Sequence, residues 1–136
     1  MNDTVVACQN LGPKEIRKRR LLGYLGLNVG VILAIIFIWQ DVSDFLRMLV
    51  FIPFFVGYLG ILQALQKTCV VLAFQGVQNQ DNGDEPVVED ALRRKLWRRS
   101  IWILILTSLL ALICTYLTLA IHSELLRWPQ PPVLPG

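Results

Sequence analysis

The sequence predicts an all-α membrane protein with three transmembrane helices, the first two forming an antiparallel hairpin, and cytoplasmic interfacial helices before the third. The first observation behind this is the clumping of charge. Of 136 residues, 54% are hydrophobic and only 17% are charged, whereas a soluble surface needs charge of both signs spread along its elements. Residues 21–40, 48–66 and 100–121, runs of 20, 19 and 22, contain no Asp, Glu, Lys, Arg or His. At about 1.5 Å of rise per residue, some 20 residues cross a hydrocarbon core of about 30 Å. Each run meets that length.

The second observation is where the cations fall. Lys14, Arg17, Lys18, Arg19 and Arg20 precede the first run, and Lys67, Arg93, Arg94, Lys95, Arg98 and Arg99 separate the second from the third. Only Arg47, in a short turn, and Arg127, near the end, lie elsewhere. Eleven against two is a positive-inside bias. It requires an odd number of crossings, with the N-terminus and the long connection in the cytoplasm and the C-terminus outside a bacterial inner membrane. The expected single membrane domain then divides into a cytoplasmic basic N-terminus (1–20), span one (21–40), span two (46–66), a cytoplasmic loop with interfacial helices (67–100), span three (101–121) and an external proline-rich tail (122–136). Trp39, Trp97, Trp102 and Trp128 fall near span ends, where amphipathic rings are favoured. The polar start "MNDTVVACQNLGPKEIRKRR" and the length of the first apolar run argue against a cleavable signal peptide. The net charge of +3 is accounted for by topology, and nucleic acid is not an expected partner.

Element by element, residues 1–13 read as a loose start closed by "NLGP", with Pro13 tolerated in a first helical turn. Span one carries Gly26, Gly30 and Ala34 at every fourth position, with Gly23 beside them. Span two carries Gly57, Gly60 and Ala64. These small-xxx-small faces let helix backbones approach in lipid, and the two are expected to pack together; homodimerisation through them is the other use of the pattern. Pro53 predicts a kink in span two. The stretch 48–74 is too long for one crossing, so Gln63, Gln66 and Lys67 mark the exit. Val70, Phe74 and Val77 predict an interfacial helix beyond it, ending at Gly76. "NQDNGDEP" reads as a flexible acidic loop with an Asn82-Gly83 turn. A helix capped by Asp84 or Glu85 then leads into span three with a bend near Ser100. Thr107, Ala111, Thr115 and Thr118 share roughly one side of that span, with Ser108 and Cys114 close by. "RWPQPPVLPG" closes the chain as a proline-rich tail.

"NLGPKEIRKRRLLGYLGLNVG" followed by "FIPFFVGYLG" resembles small bacterial inner-membrane hairpin domains that occur alone or behind rhodanese-type sulfurtransferase domains. The resemblance covers about residues 10–78, through Asn10 and Gly12, Arg17 to Arg20, Gly23 and Gly30, Pro53, Gly57 and Gly60. It implies the hairpin fold. The relatives often place a cysteine two residues after the second glycine, where this chain has Leu62, so thiol chemistry does not carry over.

No catalytic constellation emerges, and the chain is not expected to be an enzyme. Asn28 and Gln63 are expected to hydrogen-bond between helices. Three cysteines (Cys8, Cys69, Cys114) are too few and scattered for a metal site or a disulfide framework. Cys69, near the predicted membrane surface, is expected to be a plain buried or half-buried thiol, with acylation or redox chemistry as the lesser reading. His122, followed by Trp128, is expected to be interfacial and solvated, with pigment or haem ligation as the lesser reading; no cofactor is otherwise expected. The sequence therefore suggests a non-enzymatic accessory or scaffolding subunit whose partners are membrane lipid and other transmembrane subunits or further copies of itself. The alternative is an oligomeric pathway for a small solute or sulfur species around Asn28 and Gln63.

Overall fold

The computed structural model describes residues 10–128 apart from Asp41, Gln80 and Asn82. Positions 129–136 of the proline-rich tail lie outside the described residues. In chain order the elements are α1 (Pro13–Trp39), α2 (Asp44–Met48), α3 (Phe51–Gln66), α4 (Val70–Gln75), β1 (Val77–Asn79), β2 (Asp84–Pro86) and α5 (Asp90–Arg127). Three stretches are helical, long and apolar enough to cross a membrane: Pro13–Trp39, Asp44–Gln66 and Asp90–Arg127. Most of their leucines, isoleucines and valines face outward, among them Leu21, Leu25, Ile32, Ile52, Leu109 and Leu117. That is the pattern of a protein whose solvent at this depth is hydrocarbon.

What turns to the inside instead is small. A methyl group added at Gly57 would lie 2.6 Å from the backbone nitrogen of Leu27, and one at Gly26 would lie 2.8 Å from the nitrogen of Gly57. One at Gly60 would meet the Cα of Gly23 at 2.8 Å. Backbone therefore touches backbone along α1 and α3, and no side chain larger than hydrogen fits between. Gly23 is thus a central member of the face, opposite Gly60. Gly30 receives the ring of Phe54, and beyond it Ala34, Val50, Phe54 and Ala111 form a buried cluster joining α1, α3 and α5. Ala64 is also buried. In lipid, where apolar burial gives little drive, this close van der Waals fit is what holds helices together.

Span two is divided into α2 and α3 by Leu49 and Val50, which keep right-handed helical dihedrals. Pro53 lies in the first turn of α3, where its missing N–H would be unpaired in any case. Its ring clashes with a helical carbonyl four residues earlier, at Leu49. The α-helical hydrogen bonding is accordingly interrupted at Leu49–Val50, and the Leu49 carbonyl accepts instead from Ile52 N at 3.1 Å. At the other end α3 stops at Lys67, which takes a left-handed conformation (φ 49°). The amides of Lys67 and Thr68 turn back to the carbonyls of Ala64 and Gln63, the Schellman arrangement that normally uses glycine.

Three expectations change in the connection. Val77 does not continue an apolar helical stripe: α4 ends at Gly76 (φ 69°), and Val77 starts a strand. The acidic stretch is not a plain loop, because β1 and β2 pair antiparallel with Asn79 opposite Asp84. Helix α5 therefore begins at Asp90 with Glu89 as its N-cap, not at Asp84 or Glu85. From there it runs unbroken for 38 residues, about 57 Å, past Ser100 and beyond Ile121. Its buried face is Leu96, Ser100, Ile103, Thr107, Ala111, Thr115, Thr118 and His122, a spacing of threes and fours that keeps one stripe inward.

Gly57→Ala is expected to destabilise the fold by about 1–3 kcal/mol, the usual cost of overpacking. Thermal unfolding in mild detergent followed by circular dichroism would measure it. Val29→Ala, on the outer face of the same hairpin, should change little.

Candidate functional site

At the turn between α1 and α3, two polar side chains are withdrawn from solvent. Arg47, on α2, is only 3% exposed. Its Nε donates to the carbonyl of Phe37 (3.2 Å), its Nη2 to that of Gln40 (3.2 Å) and its Nη1 to Asp44 Oδ1 (2.7 Å). His122, on α5, is 8% exposed with Nδ1 3.2 Å from the carbonyl of Ile38. A carbonyl can only accept, so Nδ1 carries the proton in this contact. The last carbonyls of a helix have no partner within it and form the negative end of its dipole. Donors from α2 and α5 meet this need at α1. A cavity of about 730 Å³ opens beside them, lined in part by Ser43, Asp44, Arg47, His122, Ser123 and Glu124. With both side chains engaged by helix-end carbonyls, the cluster works as a clamp on three helices.

This corrects the expectation for His122, which is not solvated: α5 runs past residue 121 and carries the ring inward against α1. With Nδ1 occupied, only Nε2 could meet a ligand. Among the described residues no group of three or more His, Cys, Asp or Glu side chains is placed to hold a metal ion.

The opposite end has a matching lock. Asn10 is fully buried; its Oδ1 accepts from the amide of Cys69 (2.7 Å) and its Nδ2 donates to the Cys69 carbonyl (3.1 Å). The adjoining backbone pairs with β1, Asn79 N donating to Asn10 O (2.9 Å) and Gly12 N to Asn79 O (2.7 Å). Residues 10–12 are therefore pinned in place and do not form a loose start. Asp81 completes the arrangement by accepting at its carboxylate from the amides of Lys14 (3.2 Å) and Glu15 (3.4 Å). That puts a negative charge on the first turn of α1, whose own N-cap position, Gly12, has no side chain to offer. Cys69 is 0% exposed, the plain buried thiol of the leading expectation and not a surface group open to acylation or oxidation.

Between the two ends the polar groups are sparse. Gln63 is buried near the loop end of α3 and its Oε1 has no hydrogen-bond partner; Ser100 Oγ and Thr107 Oγ1 on α5 are in the same position. Thr115 and Thr118 donate back to the carbonyls of Ala111 and Cys114 in their own helix. The polar side-chain contact between α3 and α5 in the apolar layer is Tyr58 Oη with Cys114 Sγ at 3.2 Å. Asn28 does not bond between helices. It faces outward from α1 and its Nδ2 donates to the Tyr24 carbonyl one turn earlier (2.8 Å). The reason is angular: the inward face of α1 is taken by Gly23, Gly30 and Ala34, and position 28 falls opposite. Asn28 and Gln63 therefore do not share a face.

Arg47, Asn10 and Asp81 were not singled out as site residues in the sequence. A solitary arginine at the mouth of an uncharged run, three residues after Asp44, was the available signal for the first. Asn10, whose partner is 59 residues away, was marked only as the start of the Asn-x-Gly motif in the resemblance, and for Asp81, with partners 66–67 residues away, no local pattern exists. Compared with protein-family models, with curated proteins and with solved structures, the chain matches none.

Arg47→Leu is expected to lower stability in mild detergent by roughly 2–4 kcal/mol, since charged hydrogen bonds are lost and buried carbonyls are left unpaired. Arg47→Lys should recover little of that, because one ammonium cannot reach the acceptors that the guanidinium fork spans; denaturant titration checks both. In a Cys8→Ser background, maleimide labelling of Cys69 should be slow and should quicken by about ten-fold in Asn10→Ala, as local opening becomes cheaper by roughly 1.4 kcal/mol. Mass spectrometry of the labelled peptide reads this out.

Proposed function

We propose that this chain is a non-enzymatic membrane subunit that acts by helix packing, a prefolded three-helix unit that scaffolds a partner membrane helix or a second copy of itself. The observation that carries the reading is the outward position of Asn28. The small-residue faces are consumed inside the chain, so they do not serve a partner. Asn28 instead sits on the outer face of α1, in the uncharged stretch, with Tyr24 exposed one turn away. It uses one N–H on its own helix, which leaves Oδ1 and the second N–H for a neighbour. An amide facing hydrocarbon is costly, and across helices such groups act as adhesive contacts.

The distribution of cations supports a bacterial inner-membrane setting with the N-terminus and the α3–α5 connection on the cytoplasmic side and the C-terminus outside. In that orientation α4 lies at the cytoplasmic surface. The reading as an oligomeric solute pathway has less support, because Asn28 faces outward while Gln63 is buried within the chain, so the two do not present together to a path between copies.

Affinity capture of the full chain in mild detergent should recover a stoichiometric membrane partner or a defined oligomer. Asn28→Leu should weaken that association about three- to thirty-fold, the range expected for a polar contact between helices in lipid. A monodisperse monomer with no partner, or an Asn28→Leu variant that associates as tightly as the parent, would overturn the proposal.

A further inference from the structure

Near the loop end of α5 the charged and uncharged parts of the helix meet at Ser100. On one side of that boundary, an apolar groove of about 430 Å³ between α3 and α5 is lined by Leu62, Gln66, Ile103 and Leu106, together with Arg99 and Trp102. On the other side, a cavity of about 590 Å³ is lined by Arg94, Lys95 and Arg98, again with Arg99 and Trp102. The two adjoin at those last residues along one side of α5, and together they are taken as one trough. Positions 94, 95, 98, 99 and 102 follow the spacing of a single helix face, and the trough passes from a row of cations, across an indole, into an apolar slot.

We infer that this trough is a binding site for one anionic phospholipid. An acyl chain fits the slot beside Leu62, Ile103 and Leu106. The phosphate then lies at the level of Arg98, whose planar fork suits phosphate oxygens, and Trp102, exposed at 69%, stands where an amphipathic ring meets headgroups. Among the described residues the two cavities are lined by Arg94, Lys95, Arg98 and Arg99 and by no carboxylate, and the one acid of the adjoining cavity, Asp90 beside Arg94, is outnumbered by these cations. Selectivity for a net negative headgroup follows. The inference needs the helices to span a membrane but is independent of any partner at Asn28.

The test is native mass spectrometry of the full chain in mild detergent, offered equal amounts of phosphatidylglycerol and phosphatidylcholine with identical acyl chains. One phosphatidylglycerol should be retained about ten-fold in preference, and the Lys95→Gln/Arg98→Gln double variant should bring this down to about parity, roughly three-fold for each cation removed. Both side chains are exposed, so the variant should melt like the parent. Lys14→Gln/Lys18→Gln, at the same end but outside the trough, should leave the preference unchanged. Leu106→Trp, which fills the slot, should reduce retention of both lipids, and inorganic phosphate should not compete. Equal retention of the two lipids, equal loss in the Lys14/Lys18 variant, undiminished retention in Leu106→Trp, or displacement by inorganic phosphate would each overturn the inference.

Discussion

The fold depends on the contact of two helix backbones. Gly26 against Gly57 and Gly23 against Gly60 bring α1 and α3 so close that a single methyl group at these positions would lie under 3 Å from the opposing helix. In water, helices of this kind could be held by burying leucine and valine. In hydrocarbon that drive is weak, and dense van der Waals contact replaces it. The consequence is visible in what is left outside: the large apolar side chains of α1 face the solvent lipid and the hydrogens of its glycines face α3. Helix α5 then packs on an α3 already placed by this contact.

Close approach brings the helices together, and polar groups at the ends fix them there. The long helix α1 illustrates this. Its first amides point to the Asp81 carboxylate and its last carbonyls accept from Arg47 and His122. A negative group thus stands at its positive end and a cation at its negative end, as the helix dipole favours. None of these three side chains belongs to α1. Each end therefore ties the helix to a different part of the chain, the loop hairpin at one end and α2 and α5 at the other. The apolar layer between contains few polar groups; on α5, Thr115 and Thr118 bond within the helix, while Ser100 Oγ and Thr107 Oγ1 are buried without a partner.

A functional reading follows from the surfaces this arrangement leaves over. The faces that a sequence pattern would assign to a partner are already used, which moves attention to Asn28 on the outside of α1 and to the basic trough beside α5. The first suits another membrane helix and the second suits a lipid headgroup. On the proposed reading, both would be recognitions made at the perimeter of a prefolded unit whose work is to hold other things in position.

The number of spans and the clustering of cations were legible in the sequence because they depend on composition along the chain: uncharged runs of about 20 residues have one stable placement in a bilayer. The glycine spacing was equally plain, though Gly23 became a central member only once Gly60 was opposite it. Only the tertiary structure decided which face of α1 Asn28 occupies, that Cys69 and His122 are buried, and that Asn10, Asp81 and Arg47 close the two ends. Those features depend on contacts between residues far apart in the chain. Periodicity reports on a helix's own faces and carries no information about which distant group will arrive to satisfy its ends.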